Sequence, residues 1–108
     1  MSRMKYDIII AQSAIEQFDS LDARWRSTLK QALQQHLLHE PKKESKSRIK
    51  RLRGLRKPQY RLRVHDIRVF YDVNEDLKRV EILAFVFKPD TEEWLSQHGV
   101  TNEDPHND

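Results

Sequence analysis

The most constraining feature of this 108-residue chain is a strict alternation at Tyr60–Val64 that resumes at Ile67–Val73 after the single pair His65 and Asp66. Residues two apart point to the same face of a strand, so Tyr60, Leu62 and Val64 share a side, as do Ile67, Val69, Tyr71 and Val73. Two such runs joined by two residues predict a β-hairpin. Its register follows, with Val64 opposite Ile67, Arg63 opposite Arg68, Leu62 opposite Val69 and Arg61 opposite Phe70. One face is apolar and needs a cover. The other gathers Arg61, Arg63 and Arg68, and like charges facing each other across a sheet repel. Such a chain either splays them into water or sets them on an anion, and the forked, permanently charged guanidinium suits phosphate. A solvated outer face is the competing reading, although it would mix Glu, Thr and Lys among the arginines.

The apolar face predicts helices to cover it. Tyr6–Ile10 reads as a first strand, rich in β-branched residues. Ser13 and Glu16 have the spacing of a capping box, which predicts a short first helix carrying Ala14, Ile15 and Phe18. Asp22 is a candidate N-cap for a longer helix, in which Trp25, Leu29, Ala32, Leu33, His36 and Leu37 recur at three and four residues. Trp25 is read as a packing residue. That helix is expected to run to about His39, before Pro41. Residues 42–51 lack periodicity and read as a mobile basic connection, with Arg48–Leu52 able to extend as a strand; Gly54 and Pro58 punctuate its end. Asn74–Lys78 is a turn, Arg79–Phe87 a strand buried on both faces, and Asp90–Ser96 one or two helical turns. The order β-α-α-β-β-β with a short C-terminal helix gives an α+β domain, a small antiparallel-rich sheet packed on two N-terminal helices, over residues 1–98. Residues 99–108 are expected to be a disordered acidic tail.

The formal net charge is only +3, but it is unevenly spread. Residues 42–68 hold twelve Lys or Arg against Glu44 and Asp66, a local +10 that leaves −7 elsewhere. Such a block is the footprint of a polyanion ligand, most simply nucleic acid; a solvated loop or a patch covered by an acidic protein is the alternative. With no cysteine there is no disulfide, thiolate zinc site or cysteine nucleophile, which fits a reducing cytoplasm. The apolar run Ile82–Phe87 is too short to span a bilayer, and the first residues lack a signal-peptide core, so a cytoplasmic protein without membrane contact is expected. His36 and His39 lie three apart on a helix, but no third clustered ligand supports a metal site, and two glycines cannot build a phosphate loop.

The segments Lys50–Gly54 (KRLRG), Tyr60–Val64 (YRLRV) and Ile67–Tyr71 (IRVFY) resemble the signature of the RelE/ParE superfamily of toxin-antitoxin systems, with the same element order from about Tyr6 to Trp94. The short helical pair and triple-arginine hairpin look more like the RelE branch, which cleaves mRNA in the ribosomal A site, than the gyrase-poisoning ParE branch. The resemblance implies an endoribonuclease needing neither metal nor cofactor, which stops translation and has a cognate antitoxin, mRNA and the 70S ribosome as partners. By position, Arg61 and Arg63 match two basic residues of the first hairpin strand, and Arg68 matches the arginine that stabilises the phosphate. Lys88 falls near the residue that protonates the leaving oxygen, and Trp94 near a C-terminal aromatic that stacks on or orients a base. Lys50, Arg51, Arg53, Arg56 and Lys57, beside the hairpin, are expected to contact RNA phosphates. Arg63 departs from the lysine of the best-known member. An arginine with a pKa above about 12 is a poor general base, which leaves His65, Glu92 or Glu93 as candidates, or charge stabilisation alone. A noncatalytic toxin docking on a protein such as gyrase, and a plain nucleic-acid-binding module, are the alternatives.

Overall fold

A computed structural model describes residues 5–102. The hairpin has the register its alternation dictates. Strands β4 (Tyr60–Val64) and β5 (Ile67–Asn74) pair antiparallel, with Arg63 opposite Arg68 and Arg61 opposite Phe70. His65, at the turn, takes a left-handed backbone with φ 53°. Around the hairpin lie β1 (Asp7–Ile10), β2 (Ile49–Arg51) and β6 (Arg79–Phe87), giving a five-stranded sheet in the order β1-β6-β5-β4-β2. Among the described residues only the β1–β6 pair is parallel. A second sheet of two short strands pairs β3 (Leu55–Lys57) with β7 (Val100–Thr101).

Helices α1 (Gln12–Asp19) and α2 (Ala23–Leu37) cover one face of the large sheet, as the apolar side of the hairpin requires. Leu29, Leu33 and Leu37 of α2 meet Leu62, Val69, Tyr71, Val80 and Ile82 in the main core. Each fully buried side chain of this kind contributes about 1.5–3 kcal/mol. The Tyr71 hydroxyl donates to the Pro41 carbonyl at 2.6 Å, which satisfies its one polar atom inside that core. A bulge keeps β6 useful on both sides: Ile82 pairs with Tyr71 but Ala84 with Phe70, so the extra residue Leu83 switches parity. Ala84 and Val86 therefore join Phe70 on the opposite face, where α3 (Thr91–His98) covers them.

Four expectations need correction. Helix α1 starts at Gln12 after Ala11, without a side-chain cap, rather than at a Ser13–Glu16 capping box. The parallel pairing continues through the Ala11 amide to the Ile82 carbonyl at 2.9 Å, so the chain enters the helix directly from the strand and Ser13 falls inside its first turn. Helix α2 does begin at Asp22, whose carboxylate accepts from the Trp25 amide at 2.9 Å, but ends at Leu37. Residues 42–51 are held rather than loose. Ser45 Oγ accepts from the Arg48 amide, Glu44 from the Arg51 amide, and β2 forms. The tail is ordered to residue 102, since β7 pairs with β3 and the Asn102 amide reaches the Gly54 carbonyl at 3.2 Å. Gly99 permits this turn back, because a Cβ there would lie 2.6 Å from the Leu95 carbonyl oxygen. Residues 103–108 lie outside the described residues.

Candidate active site

The outer face of the large sheet is read most simply in rows across the strands. One row runs Lys50, Arg61, Phe70, Ala84; the next runs Arg63, Arg68, Val86. Lys50, Arg61, Arg63 and Arg68 thus converge on one surface. Arg68 is buried at 7% exposure, and its Nη1 donates to the His65 carbonyl at 2.8 Å and the Ile67 carbonyl at 3.3 Å. The tight hairpin turn orients those carbonyls, so the turn itself fixes the guanidinium.

Arg61 is half-buried, and its Nε is shielded from solvent without a hydrogen-bond partner among the described residues. Burial first, and the Arg63 charge second, push the Arg61 guanidinium below its ordinary pKa. Burial, then Arg61 and Arg63, do the same to Arg68, with Asp66 opposing them. Among the described residues no ion pair neutralises Arg61, Arg63 or Arg68. Removing an unpaired charge from water is costly unless a partner is supplied. The cluster is therefore preorganised for an anion and unfavourable without one.

Trp94 packs on the same face of the sheet, at the apolar patch of Phe70, Ala84 and Val86. Its ring stacks on Phe70 at 5.0 Å between centroids and 4° between planes, and His98 lies on it at 4.9 Å. The indole is thus engaged by two aromatic rings of the chain itself, and it covers the apolar patch around Phe70, the residue opposite Arg61. Phe70, which the hairpin register already placed opposite Arg61, is the residue the sequence reading left without a role. Lys88 sits beside the hairpin turn, its amide donating to the Asp66 carbonyl at 2.7 Å, and its side chain is exposed.

The other expected contacts divide. Arg53 and Arg56 are exposed and free of ion pairs among the described residues. Arg51 pairs with Tyr60, on the helix side of the sheet; its guanidinium lies over that ring and donates to the Gln59 carbonyl at 2.7 Å. Lys57 is engaged by Asp72 at 3.6 Å and Glu81 at 3.9 Å. Both are thus occupied within the fold. Of the candidate bases, His65 leans toward α2, with its ring 6.3 Å from Trp25, and Glu93 accepts from Gln97 on α3. Among the described residues no group of three or more His, Asp or Glu could hold a metal, and no helix is long and apolar enough to cross a membrane.

Solved structures share this architecture. An archaeal RelE–RelB complex from Pyrococcus horikoshii superposes with TM-score 0.65 at 27% identity, covering 79% of this chain and 97% of that one. A variant of the E. coli toxin RelE in the free state gives 0.66 at 24% identity, over 86% and 93% of the two chains. The toxin-antitoxin complex RelBE2 from Mycobacterium tuberculosis gives 0.60 at 19%, over 77% and 98%. No curated protein sequence matches the chain. The family described as ParE toxin of type II toxin-antitoxin system, parDE, matches residues 8–86. The chain therefore belongs to that family, within the RelE/ParE superfamily, and is the toxin of a type II toxin-antitoxin system.

Proposed function

We propose that this toxin is a ribosome-dependent endoribonuclease that cleaves mRNA in the A site and so inhibits translation in the cytoplasm. The observation that carries the reading is the cluster of three cations on one face, Arg61 and Arg68 withdrawn from solvent and Arg63 exposed beside them, with a shielded Arg61 Nε and, among the described residues, no carboxylate paired to them. In the reaction the RNA 2′-oxygen attacks the adjacent phosphorus and the bond to the 5′-oxygen breaks. The products are a 2′,3′-cyclic phosphate and a 5′-hydroxyl. Negative charge grows on the phosphoryl oxygens, where preorganised cations are worth most. Arg68 and Arg61 clamp that phosphate and Arg63 adds charge; the 2′-hydroxyl proton passes to water. Lys88, beside the turn, donates the proton to the leaving oxygen. Trp94 excludes water from the arginine row by its stack on Phe70. Lys50 on the same surface, with the exposed Arg53 and Arg56, adds phosphate contacts, and these weaken with salt.

A cognate antitoxin is the expected partner, as RelB is in the Pyrococcus horikoshii complex. It would neutralise the same cations with an acidic segment. A second reading follows from the family match itself, which is to ParE: a noncatalytic toxin docking on gyrase. Purified ribosomes loaded with a defined mRNA separate the two. A cut within the A-site codon, reduced about 100-fold or more by Arg68→Ala, supports cleavage. Intact mRNA together with blocked DNA supercoiling supports the gyrase reading and overturns the proposal.

A further inference from the structure

A cleft of about 450 Å³ opens between α2 and the end of β4, adjoining the arginine face at Arg63. Thr28, Gln31 and Gln35 line it from α2, and Arg48 and Arg63 close it from the sheet edge. The spacing of the three α2 residues, three then four, puts them on one face of that helix. His36 lies at the same wall, half-buried. Arg48 is fixed at its backbone, with the amide on Ser45 Oγ at 2.9 Å and the carbonyl accepting from the Arg63 amide at 2.9 Å. Neither arginine forms an ion pair among the described residues, and no carboxylate lines the cleft.

We infer that this cleft is a second nucleotide subsite, taking the phosphate of a residue flanking the scissile bond on Arg48 and Arg63 and reading its base with the amides of Gln31 and Gln35. The inference rests on the proposal that the ligand of the arginine face is RNA. Arg63 is the joint between the two, since it stands opposite Arg68 on the sheet and also lines the cleft. The volume lies within the range of small-ligand sites. Amide side chains carry both donors and acceptors, which match the edge of an unpaired base; an acidic peptide would call for donors alone. Burial and the charge of Arg48 hold the His36 imidazole below its ordinary pKa, so an anion bound beside it reverses the second effect.

The test follows the His36 ring resonances of the full chain during addition of a ribodinucleoside monophosphate at low salt. The subsite predicts that they shift and that the His36 pKa rises. Arg48→Ala is expected to weaken this binding by about tenfold or more, and Gln35→Leu to change the preference among bases. Unmoved His36 resonances, or unchanged binding in Arg48→Ala, overturn the inference. So does inorganic phosphate acting as strongly as the dinucleotide, or a polyglutamate peptide displacing it. This readout needs no cleavage. A shift at His36 with intact ribosomal mRNA would retain the subsite and remove the ribonuclease reading; cleavage with His36 unmoved would do the reverse.

Discussion

The two faces of the five-stranded sheet are built from the same strands by opposite chemistry. On the helix side, Leu62, Val69 and Tyr71 are sealed against α2, with Tyr71 giving its only polar atom to a carbonyl. On the other side, one residue along each strand, Arg61 and Arg68 are also withdrawn from water, but as mutually repelling cations. Burial stabilises the first set and costs free energy in the second. The helix side supplies the stability that lets the outer side keep a charge arrangement suited to a ligand.

Substitutions on the two faces are expected to separate stability from activity. The largest effect on folding is expected for Leu62→Ala, since Leu62 is fully buried. It should cost about 2–5 kcal/mol in urea denaturation, while the fraction that remains folded keeps its phosphate affinity. Trp94→Ala should remove a parallel stack worth about 1 kcal/mol beyond its burial. It should also lower cleavage by admitting water to the arginine row, with Trp94→Phe restoring most of both. Preserved cleavage in Trp94→Ala would break the assignment of that ring as a cover.

The smallest effect is expected far from both faces. Glu75 accepts from Tyr6 at 2.5 Å and Lys78 at 2.7 Å and pairs with Lys42 at 3.0 Å, tying the start of the chain and the basic segment to the β5–β6 turn. The ammonium of Lys78 first, then the Tyr6 hydroxyl and Lys42, hold its carboxyl down at about 2, below the ordinary 4.5. Because the folded-state value is depressed, the stabilisation is present above about pH 4.5 and lost as the pH falls toward 2. Thermal melts across that window should show a slope that Glu75→Gln flattens. An unchanged slope would mean that other carboxylates carry the acid dependence.

The hairpin, its register, the Asp22 cap and the face of α2 were legible because each is written in local spacing. The convergence of Arg61, Arg63 and Arg68 came with the register. What spacing does not encode is which distant segment lies on top. The Phe70–Trp94 stack joins residues from β5 and α3, and β3 finds β7 only after α3 has folded back. Arg51 and Lys57 read as members of the basic block, but the pairing of β2 with β4 turns Arg51 to the helix side, and Asp72 and Glu81 engage Lys57. The continuous apolar run Ile82–Phe87 has no parity of its own, so the bulge at Leu83 had no sequence signal.

The central claim is that the outer cations are held against their own folding preference for the sake of a phosphodiester. Arg61→Met tests it most directly, because methionine keeps the apolar stem and removes the charge and the unpartnered Nε. Folding free energy and ribosome-dependent mRNA cleavage should be measured on the same preparation. The account predicts that stability is unchanged or rises by about 1 kcal/mol while cleavage falls steeply. A loss of stability with cleavage retained would contradict it, and would make Arg61 a structural residue of the sheet.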